Sequence, residues 1–273
     1  MDDKEYRESI IKLENLCQMA ISLSNATFGR SVPSWREQIG SIIFGKICLT
    51  SIAILKLLPQ SKFYTPTNST IIWDVSSVCA LSRALIDNFN VFHYLIIDQI
   101  DEKELEFRYT LWKLHSESER LRMLELIKSK SPMDAIKKNI DDLKAEVKGN
   151  SFYQSLSEKQ KVKYLSGKEG IFLKGGQISE RAGINPDYYK AAFKYLSNYT
   201  HTYAFSISQI ALFRAGDSGT LSVLNAVLGY CTVYLSFAIN CYTKIFPDVR
   251  SSLPHEIVEM INNSERDAEF SEN

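Results

Sequence analysis

Hydrophobic positions recur along this chain mainly at intervals of three and four residues, the spacing that gathers them on one face of an α-helix. Tyr6, Ile10, Leu13, Cys17 and Ile21, widened by Leu16 and Leu23, form such a stripe. They predict a first helix from about Lys4 to Asn25, with Gly29 just past its end. Ser34-Trp35-Arg36-Glu37 has the form of a capping box, and Pro59 limits the helix it opens. From about Ile71 to Asp98 the chain is apolar nearly all round and free of Gly and Pro. That helix is expected to be surrounded by others, with Asn68 or Ser69 as its cap. Asp101 opens a fourth helix that reaches about Lys128, with acidic residues in its first turn. Ser131-Pro132 opens a fifth, ending at Gly149, whose thin stripe of Ile136, Ile140, Leu143 and Val147 marks a surface helix.

Between about 150 and 185 the pattern breaks up. Ser157 and Gln160 can cap one short helix, and five glycines divide the rest. Ile171-Phe172-Leu173 is too isolated to build a sheet, and Gly175-Gly176 reads as a turn. Asn185-Pro186 then starts a long helix predicted to run to about Phe213. A turn over Gly216 to Gly219 leads to the apolar segment Leu221 to Phe246, which Pro247 stops, and a short helix follows near Pro254 to Asn262. The fold expected is all-α: a single bundle of seven or eight helices, four or more of them long, with an irregular Gly-containing insertion. One helical domain is expected over 1–262, with 263–273 as a frayed tail.

Composition narrows the function classes. Lys+Arg and Asp+Glu balance at 32 each, so no overall field draws the protein to nucleic acid or acidic lipid. The lysines at 159, 161, 163, 168 and 174 make the insertion locally basic, which reads as a solvated surface. Cys17, Cys48, Cys79, Cys231 and Cys241 sit in apolar segments without a CxxC pair, as buried reduced thiols of a cytoplasmic protein do. Leu221–Phe246 has the length of a membrane span, but Asn225 and Asn240 interrupt it, and Ile39–Leu58 carries Lys46 and Lys56. Both read as core helices rather than membrane spans.

Three polar clusters carry the candidate chemistry. Arg83, Asp87 and Asn90 share one stripe of the third helix with Ser76 and Tyr94, where charges are costly unless paired. Arg108, Trp112, His115, Glu119 and Arg122 share a face of the fourth. Lys194, Asn198 and His201 share a face of the long helix after Pro186, with Ser197 adjacent and Tyr195, Tyr199 and Tyr203 alongside. Two or more of these clusters are expected to converge on one polar pocket, with Asp87 hydrogen-bonded to Arg83 or to a histidine and Trp112 and Tyr199 as walls. HExxH, paired ExxH, GxSxG, Walker and dinucleotide patterns are absent, so neither a metal nor a cofactor is expected.

Three stretches together carry a resemblance. They are Ser82-Arg83-Ala84-Leu85-Ile86-Asp87; Phe107 to His115 with Glu119 to Leu124; and Tyr195-Leu196-Ser197-Asn198-Tyr199-Thr200-His201 through Ser206. Between about Ser82 and Gln209 the chain resembles an all-helical bacterial family of unknown function that carries a YxxLSxYxH motif. More loosely it resembles the HEPN superfamily of helical nucleases and nucleotide-binding proteins from toxin and antiviral systems. That second resemblance implies an Arg and a His with four to six residues between them on one helix, in a site usually completed across a homodimer. Arg108 and His115 fit the spacing, whereas the His201 helix offers Lys194 in place of Arg.

The function so implied is a metal-independent endoribonuclease acting on RNA as a defence or toxin-type effector. His201 or His115 would handle the proton, and Lys194 or Arg108 would stabilise the phosphate. Arg83, Asp87, Asn90, Asn198, Trp112 and Tyr199 would form the binding surface. The alternative, from a different class, is a non-catalytic bundle that binds a partner protein or small ligand, in which the polar clusters only specify packing.

Overall fold

The structure is a computed structural model that describes residues 3–32, 34–67, 70–129, 132–251, 253–259 and 263. Its elements are α1 (Asp3–Thr27), α2 (Trp35–Leu57), α3 (Val75–Phe92), a π-helical turn (His93–Ile97), α4 (Glu102–Leu126), α5 (Asp134–Gly149) and α6 (Ser151–Gln154). They continue with α7 (Glu158–Leu165), α8 (Gly175–Arg181), α9 (Pro186–Thr200), α10 (Ala204–Ile210), α11 (Ser218–Ile245) and α12 (Pro247–Arg250). Among the described residues there is no β-strand, and the fold is all-α. The chain divides into two compact units, one formed by Met1–Ile97 with Gly175–Asn273, the other by Asp98–Lys174. The sequence pattern alone reads as one domain with an insertion over 150–185; the second unit takes in α4 and α5 as well.

The first unit is built around α3, which packs against α2, α9 and α11, while α1 closes on α2 and α11. Phe89 is fully buried, with Tyr234 and Phe237 set edge-on to its ring at 5.5 and 6.2 Å. Burial of a side chain of that size contributes about 1.5–3 kcal/mol. Ser82 accepts a bond from the Cys231 thiol at 3.1 Å and donates to the Val78 carbonyl at 2.7 Å, so its buried hydroxyl is satisfied within the core. All five cysteines are buried and free, as their apolar settings predict. Two helices, α2 and α11, are long and apolar enough to cross a membrane by length and composition, and 67% of the most apolar stretch of α11 is buried within the fold.

Local chemistry sets most helix ends. Ser34 accepts from the Glu37 amide while Glu37 accepts from the Ser34 amide, the predicted capping box. The cap of α3 is Asp74, whose carboxylate accepts from the Ser77 amide at 2.9 Å; Asn68 and Ser69 lie outside the described residues, as does Ser131 before α5. Arg36 donates to the Ile96 carbonyl in the π turn, where the widened backbone leaves acceptors to satisfy.

Two expectations are corrected. Gly175 and Gly176 open α8 rather than forming a turn, and the glycine at 175 is required by packing, since a Cβ there would lie 2.0 Å from the Tyr189 hydroxyl. The helix after Pro186 stops at Thr200 instead of Phe213. Thr202 takes φ +55°, and the Tyr203 amide returns to the Asn198 carbonyl at 3.2 Å, which ends α9 in a Schellman turn. The short helix expected near Pro254 to Asn262 is present over 255–259, where the Val258 amide bonds to the Pro254 carbonyl at 3.2 Å; most of the tail beyond it lies outside the described residues.

The second unit has an aromatic core. Phe107 of α4 meets Phe152, Tyr153, Tyr164 and Phe172 at 5.3–6.2 Å. The stripe Ile136, Ile140, Leu143 and Val147 lays α5 on the same cluster, and Ser157 with Gln160 caps α7 as predicted.

Candidate functional site

α3 packs against α9, and the half-buried Arg83 lies at their contact. One of its guanidinium nitrogens, Nη1, lies 2.8 Å from Nε2 of His201, the residue that terminates α9. The guanidinium also lies over the Phe193 ring, 4.4 Å from its centre, and Phe193 stacks on Tyr189 at 5.4 Å. A guanidinium can only donate, so Nε2 accepts and the imidazole carries its proton on Nδ1. The first and third sequence clusters therefore meet, at a half-buried arginine and an exposed histidine.

The pair is incompletely satisfied. Arg83 Nε is buried without a hydrogen-bond partner among the described residues. Asp87, one turn along α3, makes no hydrogen bond to Arg83 or to a histidine, contrary to expectation. Its side chain is exposed at the surface, yet the protein packed around it desolvates the carboxyl and pushes it above the usual carboxylate range, the positive charges of Arg83 and Lys46 only partly opposing this. The Tyr189 phenol is pushed up in the same way, first by burial and then by the negative charge of Asp87.

The remaining residues of these clusters divide by burial. Asn90 is buried and accepts from Ser179 of α8 at 3.2 Å, which holds α8 to α3. Lys194 is exposed, on the same face of α9 as His201, and its carbonyl accepts from the Asn198 side chain at 2.8 Å. Tyr199 is buried against Tyr195 and Phe205, at 5.4 and 6.5 Å, and packs the interior instead of walling a pocket. A cavity of about 340 Å³ lined by Trp73, Asp74, Ser76, Phe213 and Arg214 contains none of the residues expected to catalyse or bind.

In the second unit the geometry is different. Arg108 has no exposed side-chain surface and pairs with Asp98 at 2.8 Å and with Glu104 through Nε at 3.0 Å. Phe172 lies 5.4 Å from it. A guanidinium enclosed between two carboxylates reaches a phosphate only by breaking both pairs, so its environment is that of a packing residue. His115 donates from Nδ1 to the Gly167 carbonyl at 3.1 Å, and Arg122 donates to the same carbonyl at 3.0 Å. Together they pin the loop after α7 to α4. Trp112 stacks on Tyr109 at 6.5 Å, with Lys113 over the Tyr109 ring. Among the described residues, no three His, Cys, Asp or Glu side chains gather in a metal-binding arrangement.

A family model described as a family of unknown function, DUF5677, matches residues 39–218, well over half of the chain. The chain belongs to the DUF5677 family. The match spans α3, all of the second unit and α9, so the Arg83–His201 pair falls inside the DUF5677 region. No curated protein and no solved structure matches the chain.

Within the DUF5677 region, two residues beside the pair escape sequence reasoning, Tyr189 and Phe193, whereas Tyr203 is expected alongside His201. Tyr189 and Phe193 have a weak signal in their i, i+4 spacing, which the apolar character of the helix hides. Tyr203, whose ring centre lies 5.6 Å from that of His201, gains its place only from the turn at Thr202.

Proposed function

We propose that this DUF5677 protein is a HEPN-like, metal-independent endoribonuclease, and that its site is the Arg83–His201 pair. The observation that supports this reading is the 2.8 Å bond from an incompletely satisfied, half-buried guanidinium to an exposed imidazole. A buried donor without a partner costs about 1–3 kcal/mol, and Arg83 Nε is such a donor among the described residues, left free to bond a ligand that reaches the pair.

The chemistry follows from what each group can do. An RNA phosphate approaching the pair attracts Arg83, which turns from His201 to the anion and uncovers the Nε2 lone pair. Nε2 then takes the proton of the 2′-hydroxyl as the 2′-oxygen attacks phosphorus. The 5′-oxygen departs and takes a proton from water, leaving a 2′,3′-cyclic phosphate. Arg83 and the exposed Lys194 stabilise the charge that builds on the non-bridging oxygens. Arg108 and His115, already committed within the second unit, take no part in this scheme. A bacterial defence or toxin role would suit such an activity.

The test is a panel of structured and unstructured RNAs incubated with pure protein in excess EDTA. Cleavage by the wild type and its loss in His201→Ala support the reading, and intact RNA across the panel removes it.

A further inference from the structure

Tyr203 is exposed over 55% of its surface, unusual for an aromatic residue placed between two helices. Its backbone is nevertheless fixed on both sides. The amide bonds to the Asn198 carbonyl at 3.2 Å, and its carbonyl accepts from the Ser206 hydroxyl at 2.8 Å and the Ile207 amide at 3.2 Å. The turn that brings it there places a β-branched residue, Thr202, at φ +55°, a conformation such residues rarely adopt. Its ring centre lies 5.6 Å from that of His201, tilted by 45°, and among the described residues no other ring neighbours it. Phe205, 49% exposed, is by contrast anchored edge-on to Tyr199. The fold thus holds this aromatic ring largely in solvent, next to the imidazole that Arg83 bonds, with the exposed Lys194 two turns earlier on the His201 face of α9.

We propose that Tyr203 is a stacking subsite for a nucleobase, and that the substrate is single-stranded RNA whose base adjoining the cleaved phosphate lies on this ring. The inference rests on the ribonuclease reading for its ligand class. Cations that track a phosphate chain beside an exposed aromatic ring are the combination by which proteins hold unpaired nucleic acid. A duplex keeps its bases stacked on one another and cannot offer one to the ring.

The experiment uses full-length protein and 2′-O-methyl oligonucleotides, which lack the attacking hydroxyl and survive the assay. Fluorescence anisotropy compares a base-bearing single strand, an abasic strand of equal length, and a duplex. The wild type should bind the base-bearing strand about tenfold more tightly than the abasic one, as one stacked base allows. It should bind the duplex no better than the abasic strand. Tyr203→Leu should bring the ratio of base-bearing to abasic affinity close to one, and Tyr203→Trp should keep it. Equal wild-type binding of the two strands, an unchanged ratio in Tyr203→Leu, or no measurable binding of any strand overturns the proposal. Cleavage of unmodified RNA, measured in parallel, separates the two ideas. Base-dependent binding without cleavage leaves the subsite and removes the nuclease; cleavage without base dependence does the reverse.

Discussion

Arg83 and His201, 118 residues apart in sequence, share a 2.8 Å bond in which the arginine donates to Nε2 of the histidine. That direction is imposed by chemistry, because a guanidinium has no acceptor. It places the ring proton of His201 on Nδ1. Long-range ¹H–¹⁵N spectra should therefore show His201 as the Nδ1–H tautomer in the wild type and a shift toward Nε2–H in Arg83→Ala. The same tautomer in both proteins would mean that the bond does not form in solution.

Asp87 should reduce stability at neutral pH. Partial desolvation raises the carboxyl of this surface residue, so the folded protein holds this proton to slightly higher pH than the unfolded chain does. The stability it contributes is complete below the ordinary carboxylate value of about 3.9 and is lost as pH rises through the raised folded value. Asp87→Asn should then melt above the wild type at pH 7, with the difference vanishing in acid. A structural ion pair predicts the opposite sign, and thermal melts across pH decide between them.

Thr202→Gly tests the turn after α9. Removing Cβ at φ +55° relieves about 1 kcal/mol of left-handed strain, which should appear as a higher midpoint in urea. Because the same turn holds His201 and Tyr203, the stabilised variant should also cleave RNA more slowly. A gain in stability with undiminished cleavage would separate the strain from function.

Arg108→Met leaves Asp98 and Glu104 facing a lost partner, and about 3–5 kcal/mol of stability should go with it. The matching test is chemical denaturation alongside RNA cleavage. Lost cleavage at full stability would show Arg108 acting directly on substrate.

The features legible in the sequence are those that local chemistry decides. The Ser34–Glu37 and Ser157–Gln160 boxes, the Asn185-Pro186 start and the stripes of α1 and α5 all hold, because each is settled within one or two helical turns. The end of α9 was not legible. Neither Gly nor Pro marks it, and a threonine occupies the position where glycine is usual, so the apolar pattern runs on to Phe213. That moved His201 from the expected mid-helix position to a helix end. The three polar clusters were visible as spacings, but their fates depend on tertiary partners. Arg108 shows a partner at Glu104, four residues back, while Asp98, which completes its enclosure, lies before the helix and outside its periodicity.

The central claim is that Arg83 and His201 act together on an RNA phosphate. The most direct measurement is single-turnover cleavage, in EDTA, of a DNA oligonucleotide carrying one ribonucleotide, with the product ends identified by mass. The account predicts a 2′,3′-cyclic phosphate and a 5′-hydroxyl from the wild type. It also predicts rates lower by about 10²-fold or more in both His201→Ala and Arg83→Ala, with melting temperatures retained. Cleavage at wild-type rate by either variant, or no cleavage at the ribonucleotide by the wild type, would contradict it.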